Sequence, residues 1–140
     1  MNERLKLENQ LCFPLYACAK EVVRRYTPLL APFGLTYTQY IAMMVLWEHK
    51  SITVSDMGKL LYLDSGTLTP LLKKMEQAGW VSRVRSTEDE RKVVVSITES
   101  GEALQTLLAE VPTQMAGCVK LDSGEALQLY TLLKKLIQTF

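Results

Sequence analysis

Long apolar runs, a paired set of cysteines and a second histidine are all missing from this chain of 140 residues. No run approaches the length of a bilayer span, and no apolar core follows Met1-Asn2-Glu3-Arg4-Leu5-Lys6. Neither a transmembrane helix nor a signal peptide is therefore expected, and the cytoplasm is the default location. The three cysteines, Cys12, Cys18 and Cys118, form an odd set without CxxC spacing. That argues against a zinc site and a secreted disulfide framework, leaving buried structural thiols or a redox-active one. The single histidine, His49, has no His or Cys neighbour, so no metal site and no cofactor are expected. Excess charge is missing too. Sixteen basic residues against fifteen acidic ones leave a net charge of +1, a mild argument against a nucleic-acid partner. There is no internal repeat, low-complexity tract or flexible linker. With 48% hydrophobic and 22% charged residues, one compact globular protomer is expected.

What is present is local. Lys73, Lys74, Arg83, Arg85, Arg91 and Lys92 crowd into one stretch, interleaved with acids, and phosphate binding needs a basic face rather than a basic protein. Apolar spacings of three and four predict a helix over residues 5 to about 30, closed by Pro28 and Pro32 with Gly34 in the turn. Pro14 inside it means that the helix either starts late, near Cys12, or bends. Thr36 or Thr38 caps a second helix to about Glu48, with Tyr40, Met43, Met44 and Trp47 on one face. After a loop through His49, Lys50, Ser51 and Ile52, Thr53 caps a short helix to Leu61, and Asp56 is placed for a capping box.

The next helix begins in Ser65, Thr67 and Thr69 and stops at Gly79. Pro70 is harmless in it if Thr67 is the cap, and costs one bond if Asp64 or Ser65 is. Leu68, Leu71, Leu72 and Met75 face the core, leaving Lys73 and Lys74 at the surface. Two strands follow, Val81–Arg85 and 92–97, around the charged tip 86–91. Thr98 or Ser100 caps a helix towards Glu110, Pro112 marks a bend, and Ser123 starts a last helix. Its Leu129, Leu132, Leu133, Leu136, Ile137 and Phe140 call for a second copy of the chain.

Two short helices joined by a tight turn have the lengths of a helix-turn-helix, whose second helix enters the major groove of double-stranded DNA. Hydroxyls at its start suit bases or phosphates, although an ordinary helical hairpin would carry the same caps. The tip adds specificity. Asp89 stands two residues before Arg91 and can brace that arginine for insertion into a narrow minor groove.

Taken together, four segments resemble the MarR family of winged helix-turn-helix transcriptional regulators, and most closely its organic-hydroperoxide-sensing, OhrR-like branch. They are Leu7-Glu8-Asn9-Gln10-Leu11-Cys12-Phe13-Pro14-Leu15-Tyr16, Leu35-Thr36-Tyr37-Thr38-Gln39-Tyr40, the stretch 61–72, and Ser86-Thr87-Glu88-Asp89-Glu90-Arg91. The resemblance implies a mainly α fold with a β wing. Residues of about 36–98 would read DNA, and about 1–35 and 99–140 would form a helical dimerisation part. It also implies an obligate homodimer repressing from a pseudo-palindromic operator until a cysteine is oxidised. The DNA-binding residues would be Ser65, Thr67, Thr69, Lys73, Lys74, Arg85, Asp89 and Arg91.

Cys12 matches the reactive cysteine of that branch. Reactivity needs the thiolate, and phenol hydroxyls stabilise one by donating hydrogen bonds. By resemblance, Tyr26 and Tyr37 of the partner protomer do this, with Tyr16 in the same pocket. The apolar neighbours Leu11, Phe13 and Leu15 favour organic hydroperoxides. By resemblance to the two-cysteine members of that branch, Cys118 could resolve Cys12 as a disulfide across the dimer, and a low-molecular-weight thiol could do so instead; Cys18, facing away from Cys12 on a helix, is expected to be structural. Cysteines on apolar helix faces are commonly plain small hydrophobes, so two other readings stay open. One is a MarR-type regulator responding to a small phenolic ligand. The other is a thiol peroxidase, although nothing here resembles a peroxidase's Arg and Thr/Pro surroundings, and no enzymatic activity is expected.

Overall fold

The computed structural model describes residues 1–140, and its first long helix starts late. Two single 3₁₀ turns, Glu3–Leu5 and Leu7–Asn9, precede α1, Cys12–Leu30. Pro14 is thus the third helical residue, where its missing N–H removes nothing. Pro28 does not close the helix as expected; it lies inside the last turn. So near the end it deprives one carbonyl, that of Arg24, of its donor, and the Ala31 N–H still bonds to Thr27. The chain leaves through a 3₁₀ turn, Ala31–Phe33, and reverses at Gly34, whose φ of 73° suits a residue without Cβ.

Thr36 caps α2, Tyr37–His49, in a full capping box. Its hydroxyl accepts from the Gln39 N–H at 3.3 Å and the Gln39 side chain accepts from the Thr36 N–H at 3.0 Å. Tyr40 and Met43 are buried and Trp47 half-buried, but Met44 is exposed. Ala42, Val45 and Leu46 are buried in its stead, because α2 is wrapped by neighbours on several sides and has no single apolar face. The Trp47 indole N–H donates to the Gly101 carbonyl at 3.0 Å, tying α2 to the start of a later helix.

The expected loop at 49–52 is in part a strand. β1, Ser51–Thr53, pairs antiparallel with β3, Val93–Ile97, which pairs on its other side with β2, Val81–Arg85. Three residues are too few to show alternation, and the free edge of β3 is what recruits them. Thr53 then caps α3, Val54–Leu61, by accepting from the Asp56 N–H at 3.1 Å. Asp56 does not return the bond as a capping box would require; its carboxylate lies 4.0 Å from Lys59.

α4, Ser65–Gln77, is capped by Asp64, which accepts from the Thr67 N–H at 2.7 Å. Pro70 is therefore inside the helix, and the Gly66 carbonyl loses its usual donor. Leu68, Leu72 and Met75 are fully buried and Leu71 half-buried, with Lys73 and Lys74 exposed. Gly79, at φ 84°, ends the turn. Thr98 caps α5, Glu99–Leu107; Pro112 falls in the first turn of α6, Val111–Ala116; and Asp122 caps α7, Ser123–Ile137.

One core joins α1's end, α2, α3, α4 and the sheet through Leu30, Tyr40, Leu46, Met57, Leu72 and Val95, all at most 2% exposed. Each such side chain contributes about 1.5–3 kcal/mol on burial. α7 adds nothing to it. None of its residues is buried, and Leu129, Leu132, Leu133, Leu136 and Phe140 are exposed, as are Leu11, Phe13 and Leu15 of the N-terminal stretch. No helix is long and apolar enough to cross a membrane.

Candidate functional site

The helix-turn-helix is made by two local devices. Tyr62 takes a left-handed conformation at φ 56° to end α3, and the Leu63 N–H returns to the Gly58 carbonyl at 3.0 Å. Gly58 permits this approach: a Cβ there would lie 2.6 Å from the Leu63 carbonyl oxygen. α4 then presents Ser65, Thr67 and Thr69 in its first turns, all exposed, with Lys73 and Lys74 exposed further along. Between α3, α4 and the root of the wing lies a cleft of about 870 Å³. Lys59, Tyr62, Ser65, Thr69, Arg83 and Arg91 are among its lining residues.

The wing tip is built by hydrogen bonds inside 86–92. Ser86 Oγ accepts from the N–H groups of Glu88 and Asp89 at 3.2 and 3.3 Å, and the Ser86 and Lys92 N–H groups close the turn at 2.8 and 2.9 Å. Asp89 holds Arg91 as the spacing suggested. Its carboxylate accepts from Arg91 Nε at 3.2 Å and from the Arg91 backbone N–H at 3.1 Å, while the arginine side chain stays 91% exposed. These two bonds, the side-chain one foremost, hold the Asp89 carboxyl below the usual carboxylate range, with Lys92 adding to them. Arg85 is engaged elsewhere: its guanidinium donates to the Glu90 carbonyl at 2.9 Å, so in this protomer it supports the tip.

Ser86, Lys59, Tyr62 and Arg83 were not singled out from the sequence as site residues. Ser86 three residues before Asp89 is a recognisable turn pattern. Arg83 stood only in the basic cluster, and Lys59 and Tyr62 carry no sequence signal, because the cleft exists only once the wing folds beside the helices.

The thiols and tyrosines are more dispersed. All three cysteines are free and exposed in the protomer. Cys12 is the first residue of α1. Cys18 lies mid-helix and is exposed in the single protomer. Cys118 follows α6 in a turn, with its Sγ 3.6 Å from the Gln114 carbonyl.

Tyr26 and Tyr37 do come together, with ring centroids 4.7 Å apart, and Tyr40 is 5.8 Å from Tyr26. Burial, and then the neighbouring phenols, push Tyr26 and Tyr40 above the ordinary tyrosine range, so both remain O–H donors. Tyr16 is not with them; it is exposed, with Lys20 Nζ 5.5 Å above its ring. Nor is Cys12. Fourteen residues along one helix separate it from Tyr26 by about 21 Å.

Comparison with known proteins adds to this geometry. The family described as transcriptional regulator SarA/Rot matches residues 24–108. An organic hydroperoxide resistance transcriptional regulator of Bacillus subtilis (strain 168) is 51% identical over 141 residues, covering 97% of this chain and 95% of the relative. The structure of reduced AbfR bound to DNA, a protein of Staphylococcus epidermidis, matches with a TM-score of 0.84 at 35% identity, over 99% of this chain and 94% of that one. The disulfide form of AbfR matches less well, at 0.64 and 36% identity, over 98% and 91%.

Proposed function

This chain belongs to the SarA/Rot family of transcriptional regulators, proteins of the MarR-like winged-helix type, and from that premise we propose that it is a cytoplasmic, homodimeric repressor released from its operator when an organic hydroperoxide oxidises Cys12. The reading head is α4 and the wing: Ser65, Thr67 and Thr69 meet the major groove, Lys73 and Lys74 the phosphates, and Asp89-braced Arg91 the minor groove. Residues of about 1–35 and 99–140 form the dimerisation part, covering the leucines that α1 and α7 leave exposed.

The observation that carries the sensor is the separation of Cys12 from the Tyr26–Tyr37 pair. Cys12 and Tyr26 lie towards opposite ends of α1, with Tyr37 at the start of α2 packed on Tyr26, so a single protomer holds half of two sites. Two copies of α1 related by a two-fold axis complete both, Cys12 of each against the phenols of the other. In the reduced dimer those phenols donate to the thiolate. The thiolate attacks the terminal peroxide oxygen, the O–O bond breaks, sulfur becomes a sulfenic acid, and the alkoxide leaves as an alcohol after taking a proton. The sulfenic acid then condenses with Cys118 or a small thiol, releasing water. Loss of the phenol bonds shifts the dimer helices and spoils the one-turn spacing of the recognition helices. The lower similarity to the disulfide form of AbfR than to the reduced, DNA-bound form supports such a shift.

The test is release of a fluorescent operator duplex by cumene hydroperoxide, followed by anisotropy. Wild type is expected to release it and Cys12→Ser to hold it. Equal release from both sinks the sensor reading. Tight binding of a phenolic ligand by Cys12→Ser, with loss of DNA, would favour the ligand-responsive reading. The lysines give a separate expectation. Lys73→Ala should weaken all DNA sequences alike and reduce the slope of log affinity against log salt by about 0.9; an unchanged slope would take Lys73 off the phosphates.

A further inference from the structure

The wing's root carries a cross-link that neither base reading nor thiol chemistry uses. Glu76, in the last turn of α4, accepts from the backbone N–H of Arg83 on β2 through Oε2 at 3.1 Å, and from the Arg83 guanidinium through Oε1 at 3.2 Å. β2 is an edge strand in the order β1-β3-β2. One carboxylate therefore caps an open edge donor and neutralises the adjacent guanidinium. The Arg83 side chain is 22% exposed, against 91% for Arg91, and its Nε is buried with no partner. It is placed to hold the wing rather than to meet phosphate.

The rest of the junction is backbone: Gly79 N–H to the Glu76 carbonyl at 3.0 Å and Trp80 N–H to Met75 at 3.1 Å, around a glycine in the left-handed region. Arg83 lies beyond that turn, where the hairpin begins to project. Three strand residues from Arg83 to the end of β2 make a lever of about 10 Å. A tilt of about 15° at its root moves the strand end by about 2.6 Å, nearly half the width of a minor groove of about 6 Å.

We propose that Glu76 and Arg83 are the positioning pair that fixes the wing's angle to the reading helix, so that Arg91 meets the minor groove when α4 is in the major groove. The proposal rests on the reading head assigned above. Its sign is diagnostic. Removing a carboxylate from a surface that approaches a polyanion raises affinity if charge alone decides, whereas loss of aim lowers it.

The experiment is a double-mutant cycle on a duplex selected by the wild-type protein from a random library, with Glu76→Ala, Arg91→Ala and both together. Glu76→Ala is expected to lose about fivefold or more in affinity, and most of that loss disappears when Arg91 is already alanine. Hydroxyl-radical protection of the flanking minor grooves should fade in Glu76→Ala as it does in Arg91→Ala. Glu76→Gln, which keeps an acceptor for the Arg83 N–H, should fall between wild type and alanine. It carries the same cycle if the alanine variant melts below the assay temperature. Wild-type or tighter binding by Glu76→Ala, or losses that simply multiply, overturns the proposal while leaving the reading head intact. An inert Arg91→Ala overturns both.

Discussion

Arg91→Ala lowers operator affinity by about 1–3 kcal/mol, roughly five- to 150-fold, while leaving the melting temperature where it was. The two halves of that expectation come from the same observation. With 91% of its side chain in solvent and its only partner two residues away, Arg91 supports nothing in the fold. A surface substitution of this kind changes stability by no more than about 0.5 kcal/mol. On the proposed reading, its contribution goes to the DNA outside the chain. Ordering a long side chain at an interface costs about 0.5–1.5 kcal/mol, and the Asp89 carboxylate offsets part of that by holding Nε and the backbone N–H beforehand. Asp89→Ala should accordingly show a smaller loss in the same direction. Anisotropy titrations at one fixed salt concentration measure both, and an Arg91→Ala protein that binds as wild type does would remove the wing from the groove.

Gly58→Ala is the second large effect, and here two principles point in opposite directions. Alanine is the better helix former by about 0.8–1.0 kcal/mol, so propensity alone predicts a more stable α3. Sterics predict the reverse. The new Cβ would lie 2.6 Å from the Leu63 carbonyl oxygen and 3.3 Å from Leu68 Cδ1. The first of these is backbone and cannot rotate away. Sterics win, because α3 must shift against α4, and overpacking of this kind costs about 1–3 kcal/mol. Thermal melting at matched protein concentration should show a fall of several degrees, on the order of 2–8 °C per kcal/mol. Operator binding should fall as well, since the displaced contact is the turn that sets the angle of the reading helix. A melting temperature at or above wild type would mean that the turn is looser than its geometry.

The reading head was the more legible part of the molecule because its signals are local. Caps, Gly79, the strand pair and the Asp89–Arg91 spacing each act within a few residues. Where local signals competed, the sequence left a choice that packing made: Asp64 caps α4 even though Pro70 then sits inside the helix, and Thr36 rather than Thr38 caps α2. Pro28 misled because a proline in a last turn removes only one bond, which is easily borne. β1 went unseen because its reason for existing is the edge of β3, about forty residues away in sequence. The proposed thiol site rests on resemblance alone. No periodicity links Cys12 to Tyr26 and Tyr37, and within one protomer no contact does.

The two indoles of this chain occupy informative addresses. Trp47 stands at the end of the tyrosine row, edge-on to Tyr40 at 6.3 Å, with its N–H committed to Gly101. Trp80 is half-buried at the foot of the wing, its carbonyl accepting from Thr98 at 3.0 Å. Since indole emission moves to the red as the ring meets water, the protein carries its own pair of optical reporters, one beside the phenols and one beside the reader. Removing either leaves a single-colour view of the other, without a dye and without touching a cysteine.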